Sequence, residues 1–285
     1  MLTRRFMSLI LLLAWLMPLT SAAADVGLLW KLQAPSGKIS HLFGTMHADD
    51  GRIIDFSPKL VKALQESDTY YVEVMPGGDT SAFNMKDGRK LSSLLTPEEY
   101  DRVCELADAY VMHREQANRM KPWLLAIALD PPKPSSIFAQ DVLLAGLARD
   151  KLKPVKALSS RNDHFETLDS LSMEEQLTML RSVLKRSQEE KEKDFEELLA
   201  AYLSGNLDKI AGVDEKMTEG LLPAAIWEKM RTKLLDERNA SMAETLADAL
   251  NKESAFVAVG ASHLAGKGGL LQRLRDAGFQ ISAVE

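Results

Sequence analysis

The sequence predicts an α/β (α+β) fold in which the N- and C-terminal segments build a core sheet and a large helical middle caps it. Two observations lead to this prediction. Strand-like segments concentrate toward the two ends of the chain, whereas residues 163–250 repeat apolar side chains at helical spacing. In addition, an apolar segment near each end closes with Gly-x-x-His, at residues 44–47 and 260–263. We expect these two segments to meet, which makes the chain one interleaved domain.

At the N-terminal end of this domain, the sequence predicts a β-hairpin followed by a helix. Residues 27–33 (GLLWKLQ) and 39–43 (ISHLF) are the two strands, separated by a turn that contains Pro, Ser and Gly. A polar loop is predicted for residues 47–56. Ser57 and Pro58 then favour a helix start, because serine is a good N-cap and proline fits the first helical turn.

The remaining strands flank the predicted cap. Residues 69–75 (TYYVEVM) predict a strand that ends at residues 76–78 (PGG), and residues 153–158 (KPVKAL) predict another. The C-terminal segment predicts a strand at 255–259, a helix at 267–277 and a last strand at 279–283. The helical cap, at about residues 91–250, is therefore inserted between core strands.

Residues 1–24 have the features of a secretory signal peptide. Arg4 and Arg5 precede an apolar run, and small residues ending at Ala24 form a cleavage site. We therefore expect an exported protein, periplasmic or secreted, whose folded domain is residues 25–285. No second long apolar stretch follows, so no membrane span is expected after cleavage of the signal.

The charge and the cysteine count restrict the possible partners and covalent links. The net charge is −6 and the sequence has no basic cluster, which argues against a nucleic-acid partner. Cys104 is the single cysteine, so the chain cannot form an internal disulfide. It falls among apolar residues of a predicted helix, and we expect it to be buried in the core.

The repeated Gly-x-x-His motif is the main candidate for chemistry. With 16 glycines and 5 histidines in 285 residues, chance predicts fewer than one match. Loops beyond strand ends carry functional groups in open α/β sheets, and glycine there permits close approach by a neighbouring chain. The imidazoles of His47 and His263 could hold a divalent cation such as manganese, cobalt or zinc, or one could act as a general base.

Glu73 is the third candidate, in an apolar strand between Val72 and Val74. Strand alternation leaves two interpretations open: its face is exposed to solvent, or its carboxylate points into the crevice with His47 and His263. In the second case, two histidines and a carboxylate would leave positions on a metal ion open for water or substrate.

The segments LFGTMH, YYVEV and FVAVGASHLAGKGGLLQRLRDAGFQI together resemble the TraB/GumN family, which includes the TIKI metalloproteases. The resemblance covers nearly all of residues 25–285. It implies a core sheet like that of TIKI and erythromycin-esterase-like proteins, with pseudo-repeated halves. It also implies an active site lined by His47, Glu73 and His263. The family usually has a Leu-Glu pair after the middle strand, where this chain has Leu158-Ser159.

The resemblance further implies that Arg238 and Asn239 are the family's Arg-Asn pair and bind substrate. A guanidinium at the site could hold a substrate carboxylate or stabilise a developing oxyanion. From the residues alone, Arg238 is instead expected to pair with nearby acids on a helix surface.

Three functions are consistent with these residues. The first is a metal-dependent hydrolase, specifically a metallopeptidase, whose cation is held by His47, His263 and Glu73 and whose substrate is a peptide or small molecule. The second is a metal-free hydrolase in which one histidine is the general base and Glu73 tunes it. The third is a non-catalytic periplasmic protein that binds or regulates a peptide.

Overall fold

The computed structural model describes residues 25–75, 80–136 and 138–285. The predicted signal peptide, residues 1–24, lies outside the described residues, as does the turn predicted at 76–78. The described part contains a six-stranded sheet in the order β4-β3-β5-β2-β1-β6. Its strands are β1 (Leu29–Gln33), β2 (Ile39–Thr45), β3 (Thr69–Val74), β4 (Val155–Ser159), β5 (Ala255–Gly260) and β6 (Gln280–Ala283).

The two ends of the chain meet in the middle of this sheet. The parallel strands are β2, β5, β3 and β4, while β1 pairs antiparallel with both β2 and β6. The predicted α/β fold with a helical cap is confirmed, as is the N-terminal hairpin. The two strands that close with Gly-x-x-His are parallel neighbours.

Helices form most of the remaining described chain. They are α1 (Gly51–Ile54), α2 (Pro58–Glu66), α3 (Pro97–Ala109), α4 (Arg114–Arg119), α5 (Pro122–Leu129), α6 (Gln140–Asp150), α7 (Arg161–Asp169), α8 (Met173–Leu184), α9 (Gln188–Leu203), α10 (Leu207–Glu219), α11 (Ala224–Arg231), α12 (Arg238–Leu250) and α13 (Leu270–Asp276). Ser57 caps α2 by accepting a hydrogen bond from the amide of Leu60, as predicted. Helix α1 lies in the segment predicted as a loop, and the Asp50 carboxylate caps it.

Both faces of the sheet are covered, as is usual for parallel strands. Alternation along β3 and β5 sends Tyr70 and Phe256 to one face, where they pack with α2 and α6. It sends Tyr71 and Val257 to the other face, where they pack with α9, α10, α12 and α13.

The helical middle has a hydrophobic core of its own, centred on side chains such as Trp123, Leu180 and Met230. Strand β4 and helix α6 come from within this region but join the sheet. The prediction that Cys104 is buried in the core is wrong. The cysteine is only partly buried, while Val103 and Leu106 beside it on α3 occupy the interior.

No helix in the described ranges is both long enough and apolar enough to cross a bilayer.

Candidate active site

The two Gly-x-x-His segments come into close contact where Gly44 packs against Ala261. Gly44 lies opposite Val259 and Thr45 opposite Gly260 in the parallel pairing of β2 with β5. A Cβ atom on Gly44 would lie 3.1 Å from the Cα of Ala261, the residue that follows Gly260. The glycine of the first motif therefore makes room for the backbone of the second, which is why a larger residue does not fit there.

Glu73 lies at the end of β3, beside the end of β5. Its Oε1 accepts a hydrogen bond of 2.6 Å from the amide of Gly260, and its Oε2 accepts one of 2.9 Å from Nη2 of Arg238. The side chain is 23% exposed. A Cβ atom on Gly260 would lie 3.3 Å from Oε1, so the glycine of the second motif leaves space for this carboxylate. Of the two interpretations of Glu73, its position at the crevice is the observed one.

The surroundings of Glu73 keep it ionised. Burial works to raise its pKa, but the charge that His263 acquires in acid, the charge of Arg238 and the hydrogen bond from Gly260 outweigh burial and lower the pKa to about 2. A carboxyl group with this pKa is an acceptor at neutral pH and cannot serve there as a general acid.

Arg238 follows a π-helical segment, Thr232–Glu237, and begins α12. Its guanidinium lies between Glu73 and His263, with Nη1 at 3.4 Å from Nε2 of the imidazole. The expectation from the residues alone, that Arg238 pairs with acids on a helix surface, is wrong: its partner is Glu73, from the sheet. Single-turn π segments inside helices often occur at functional sites.

Asn239 fixes the tautomer of His263. Its Nδ2 donates to the carbonyl of Gly268 at 3.0 Å, which leaves its Oδ1 to accept a hydrogen bond of 2.7 Å from Nδ1 of His263. Burial, aided by Arg238, lowers the pKa of His263 despite the opposing charges of Glu73 and Asp214. The imidazole is therefore neutral, carries its proton on Nδ1, and presents the lone pair of Nε2 to Arg238. Asn239 holds His263 through this contact.

His47 has different surroundings, because its side chain is 80% exposed. Its Nδ1 lies 3.2 Å from Oδ2 of Asp141 in the first turn of α6, and the other oxygen of Asp141 accepts a hydrogen bond of 2.6 Å from the hydroxyl of Thr45. This hydrogen bond to Asp141 is the main cause that raises the pKa of His47, with burial opposing and the charges of Asp141 and Glu73 assisting. His47 and Asp141 thus form a dyad in which Nε2 has no hydrogen-bond partner among the described residues.

The two histidines follow the ends of adjacent strands but are held on opposite faces of the sheet. His263 is held by α12, whereas His47 is held by α6, and these helices pack on opposite faces. Within the described ranges, no group of three or more His, Cys, Asp and Glu side chains has an arrangement that could hold a metal ion. The residues of the predicted metal set, His47, Glu73 and His263, do not fit a metal ion as they stand, since Arg238 faces Nε2 of His263.

Two cavities flank the ends of β2 and β5, and both are lined by Thr45, His47 and Gly260. The first, called here the proline cavity, has a volume of about 630 Å³. It is bordered by α9 and α10 and is largely apolar, with lining residues that include Ile127, Pro131, Pro132, Pro134, Phe195 and Leu198. The second, called here the α6 cavity, has a volume of about 560 Å³ and lies between the ends of the strands and α6.

Of the five residues predicted for the site, His47 and Glu73 line these cavities. His263, Arg238 and Asn239 form a linked group behind Glu73 and line neither of the two. Sequence reasoning missed Asp141, which is 94 residues from His47 and has no local signature beyond its place in the first turn of a helix. Ser159, which stands where the family usually has a glutamate, pairs with Val74 of β3. This difference from the family therefore lies next to Glu73, at the same ends of the strands.

Comparison with known proteins places the chain in a family. The sequence profile of the TraB/PrgY/gumN family matches residues 28–283, which is nearly all of the described chain. No curated protein matches it.

Proposed function

We propose that this chain, which belongs to the TraB/PrgY/gumN family, is an exported hydrolase that cleaves peptide bonds with His47 as its general base. The observation that carries the proposal is the His47–Asp141 dyad, whose His47 lines both cavities and whose Asp141 lines the α6 cavity. A base whose one nitrogen is fixed by a carboxylate and whose other nitrogen faces a cavity is the arrangement that general-base catalysis requires.

In this proposal, Nε2 of His47 accepts a proton from water while the water oxygen attacks the carbonyl carbon of the substrate. Asp141 holds the Nδ1–H of the ring, and the imidazolium that forms is stabilised by the negative charges of Asp141 and Glu73. Collapse of the tetrahedral intermediate then breaks the carbon–nitrogen bond, and the imidazolium returns its proton to the leaving amine. The reaction consumes one water: one of its protons passes through His47 to the leaving amine, its oxygen enters the new carboxyl group, and the products are an acid and an amine.

Glu73 supplies fixed negative charge at the cavity wall. Its two oxygens accept from Gly260 and Arg238, so the carboxylate is held in one orientation. Arg238, Asn239 and His263 act through Glu73 as positioning residues. The apolar lining of the proline cavity favours a substrate with an apolar side chain next to the bond that is cleaved.

The experiment is digestion of a hexapeptide library by protein expressed from the full sequence, in water enriched in ¹⁸O, with products identified by mass spectrometry. Hydrolysis by the proposed route puts one ¹⁸O into the new carboxyl group. We expect cleavage by the wild type and by His113→Gln, an exposed histidine on the surface, but not by His47→Gln. Intact mass of the same protein tests export, because signal cleavage after Ala24 leaves Asp25 as the first residue.

Two other functions give different results in this experiment. A metal-dependent hydrolase loses activity after chelator treatment and regains it with manganese, cobalt or zinc, whereas the dyad does not need the added ion. A non-catalytic protein retains peptides intact, and no ¹⁸O enters them. Ser159, which pairs with Val74 and stands where the family usually has a glutamate, favours this alternative.

A further inference from the structure

The α6 cavity contains two polar groups that no other group in the described structure satisfies. One is the hydroxyl of Tyr70, which is buried and has no hydrogen-bond partner among the described residues. The other is the guanidinium of Arg149, which forms no ion pair or hydrogen bond with any described residue. Both residues line this cavity. The hydroxyl of Tyr70 is the more telling of the two, because buried polar groups without partners are uncommon enough to need a physical reason.

The position of Tyr70 is fixed by packing. Its ring stacks on Phe256 with the ring centroids 6.0 Å apart, and the residue has no exposed surface. Burial and the charge of Asp141 raise the pKa of its hydroxyl, while the charge of Arg149 acts in the opposite direction. The hydroxyl therefore keeps its proton and is a donor that lies within the field of Asp141 and Arg149.

Arg149 carries the uncompensated charge of the cavity. The carboxylate of Glu73 is paired with Arg238, and that of Asp141 with His47 and Thr45. Arg149 is exposed in the last turn of α6, eight residues after Asp141. Eight residues are a little over two helical turns, so the two side chains are about 80° apart around α6 and roughly 12 Å apart along its axis, and both line the cavity.

We propose that the α6 cavity binds the C-terminal carboxylate of a peptide, with Arg149 as its cation and the hydroxyl of Tyr70 as a second donor. Guanidinium groups bind carboxylates through two parallel hydrogen bonds, which gives both affinity and direction. The apolar side chains of Val142, Ala145 and Phe165 line the same cavity and suit apolar residues of such a peptide.

The position of the cleaved peptide bond can also be inferred, and this part of the inference rests on the proposed function. An extended chain spans at most about 3.3–3.6 Å per residue, so roughly 12 Å corresponds to three or four residues. A peptide whose carboxylate is bound by Arg149 therefore places a bond about three residues from its C-terminus next to His47. The substrate class is peptides with a free C-terminus, and the product is a short C-terminal fragment.

The test compares one hexapeptide library prepared as free acids with the same library prepared as C-terminal amides. Retention of both forms by His47→Gln protein is measured by equilibrium dialysis and mass spectrometry. We expect the acids to be retained roughly tenfold more than the amides, and this preference to disappear when Arg149→Met is added. Lys151→Met is the matched control, because it removes one exposed positive charge just beyond the same helix without touching the cavity.

A second variant, Tyr70→Phe, tests the donor without changing the charge. Its hydroxyl has no partner in the described structure, so its removal is expected to leave the protein folded, with an equal or higher urea midpoint, and to weaken retention of the acids. Equal retention of acids and amides, absence of retention of either form, or a preference that survives Arg149→Met would overturn the proposal. Acid-selective retention by Arg149 without cleavage by the wild type would instead overturn the proposed hydrolysis and leave the carboxylate site standing.

Discussion

Nδ1 of His263 donates a hydrogen bond of 2.7 Å to Oδ1 of Asn239, and this contact determines the protonation of the buried half of the site. The amide of Asn239 is oriented by its second hydrogen bond to Gly268, so its oxygen must face the ring. A neutral His263 can then accept from Arg238 through Nε2, whereas a charged His263 would repel it.

The first prediction concerns this tautomer. In ¹⁵N-edited spectra at pH 7, we expect His263 to show a protonated Nδ1 and an unprotonated Nε2. Asn239→Asp replaces the neutral acceptor with a carboxylate, which favours the imidazolium and raises the pKa of His263. A wild-type ring protonated on Nε2, or an unchanged pKa in Asn239→Asp, would contradict this assignment. Asn251→Asp, at the C-cap of the same helix, is the control.

The second prediction concerns the ion pair between Glu73 and Arg238. Their side chains are 23% and 14% exposed, so removing one partner leaves a poorly solvated charge. We expect Glu73→Gln to lower the free energy of unfolding by about 3 kcal/mol in urea denaturation. The double variant with Arg238→Met is expected to lose less than the sum of the two single variants.

A matched surface pair serves as the control for that measurement. Lys252 and Asp248 form an ion pair at the C-terminal end of α12, with side chains 69% and 72% exposed. Asp248→Asn is expected to change the free energy of unfolding by less than about 0.5 kcal/mol, because exposed pairs are screened by water. Additive effects of Glu73→Gln and Arg238→Met would show that the two side chains do not interact.

The third prediction is the dependence of stability on pH. The folded-state pKa of His263 lies below 6.5, so the unfolded chain binds more protons as pH falls below this value and stability decreases. Glu73 acts in the same direction at lower pH, because its pKa is about 2 in the folded state and 4.5 in the absence of these contacts. Its contribution is present above about pH 4.5 and is lost as pH falls toward 2.

Urea midpoints measured between pH 8 and pH 3 check this dependence. We expect the wild type to lose stability steadily on the acid side, and Glu73→Gln to have a smaller slope below pH 4.5. The raised pKa of His47 contributes to stability in the opposite way. Its stabilisation is fully present below pH 6.5 and is lost as pH rises through the pKa of His47 in the folded state. A wild type and Glu73→Gln with parallel curves below pH 4.5 would mean that Glu73 is not the group responsible.

The sequence predicted the fold well because its strands carry local signals. The hairpin, the strand TYYVEV and the C-terminal strand each have β-branched or aromatic residues bounded by turn residues, and the structure has all of them. The repeated Gly-x-x-His motif even predicted which strands meet, since Gly44 and Gly260 are required by close contacts at one sheet edge.

The composition of the site could be predicted only in part. Glu73 was recognisable as a carboxylate in an apolar strand, but its partner Arg238 is 165 residues away, on a helix. Spacing along the chain also cannot tell on which face a residue after a strand end will lie. His47 and His263 follow adjacent strands in the same way, yet one bonds to α6 and the other to α12. Asp141 had no signal because its role exists only where α6 passes Thr45 and His47.

The fourth prediction tests the close approach of the two motifs. Gly44→Ala would place a Cβ atom 3.1 Å from both the Cα and the Cβ of Ala261, and backbone there cannot move aside without disturbing β5. We expect a loss of about 1–3 kcal/mol in the free energy of unfolding. Gly146→Ala on α6 is the control: nothing lies within 4 Å of its added Cβ, and alanine in a helix gains up to about 1 kcal/mol. Equal effects of the two substitutions would contradict the packing argument.

The fifth prediction separates the role of Asp141 from that of His47. Because the hydrogen bond to Asp141 is the main cause of the raised pKa of His47, Asp141→Asn should bring that pKa down, and NMR titration of the ring measures the shift directly. In the proposed mechanism, the acid limb of the pH–rate profile follows this pKa, so the limb should move to lower pH. The rate on the plateau should fall by roughly 10²–10⁴-fold, since a weaker and poorly oriented base removes less of the barrier.

The control for Asp141→Asn is Thr45→Val, which removes the hydroxyl that donates to the other oxygen of Asp141. This variant leaves the carboxylate in place beside His47, so the pKa of His47 should change less than in Asp141→Asn and the acid limb should stay closer to that of the wild type. If Asp141→Asn left both the pKa of His47 and the acid limb unchanged, the dyad would be a surface contact, and the general base would have to be sought elsewhere on the cavity wall. If the pKa moved while the acid limb did not, Asp141 would control the charge of His47, but His47 would not be the base.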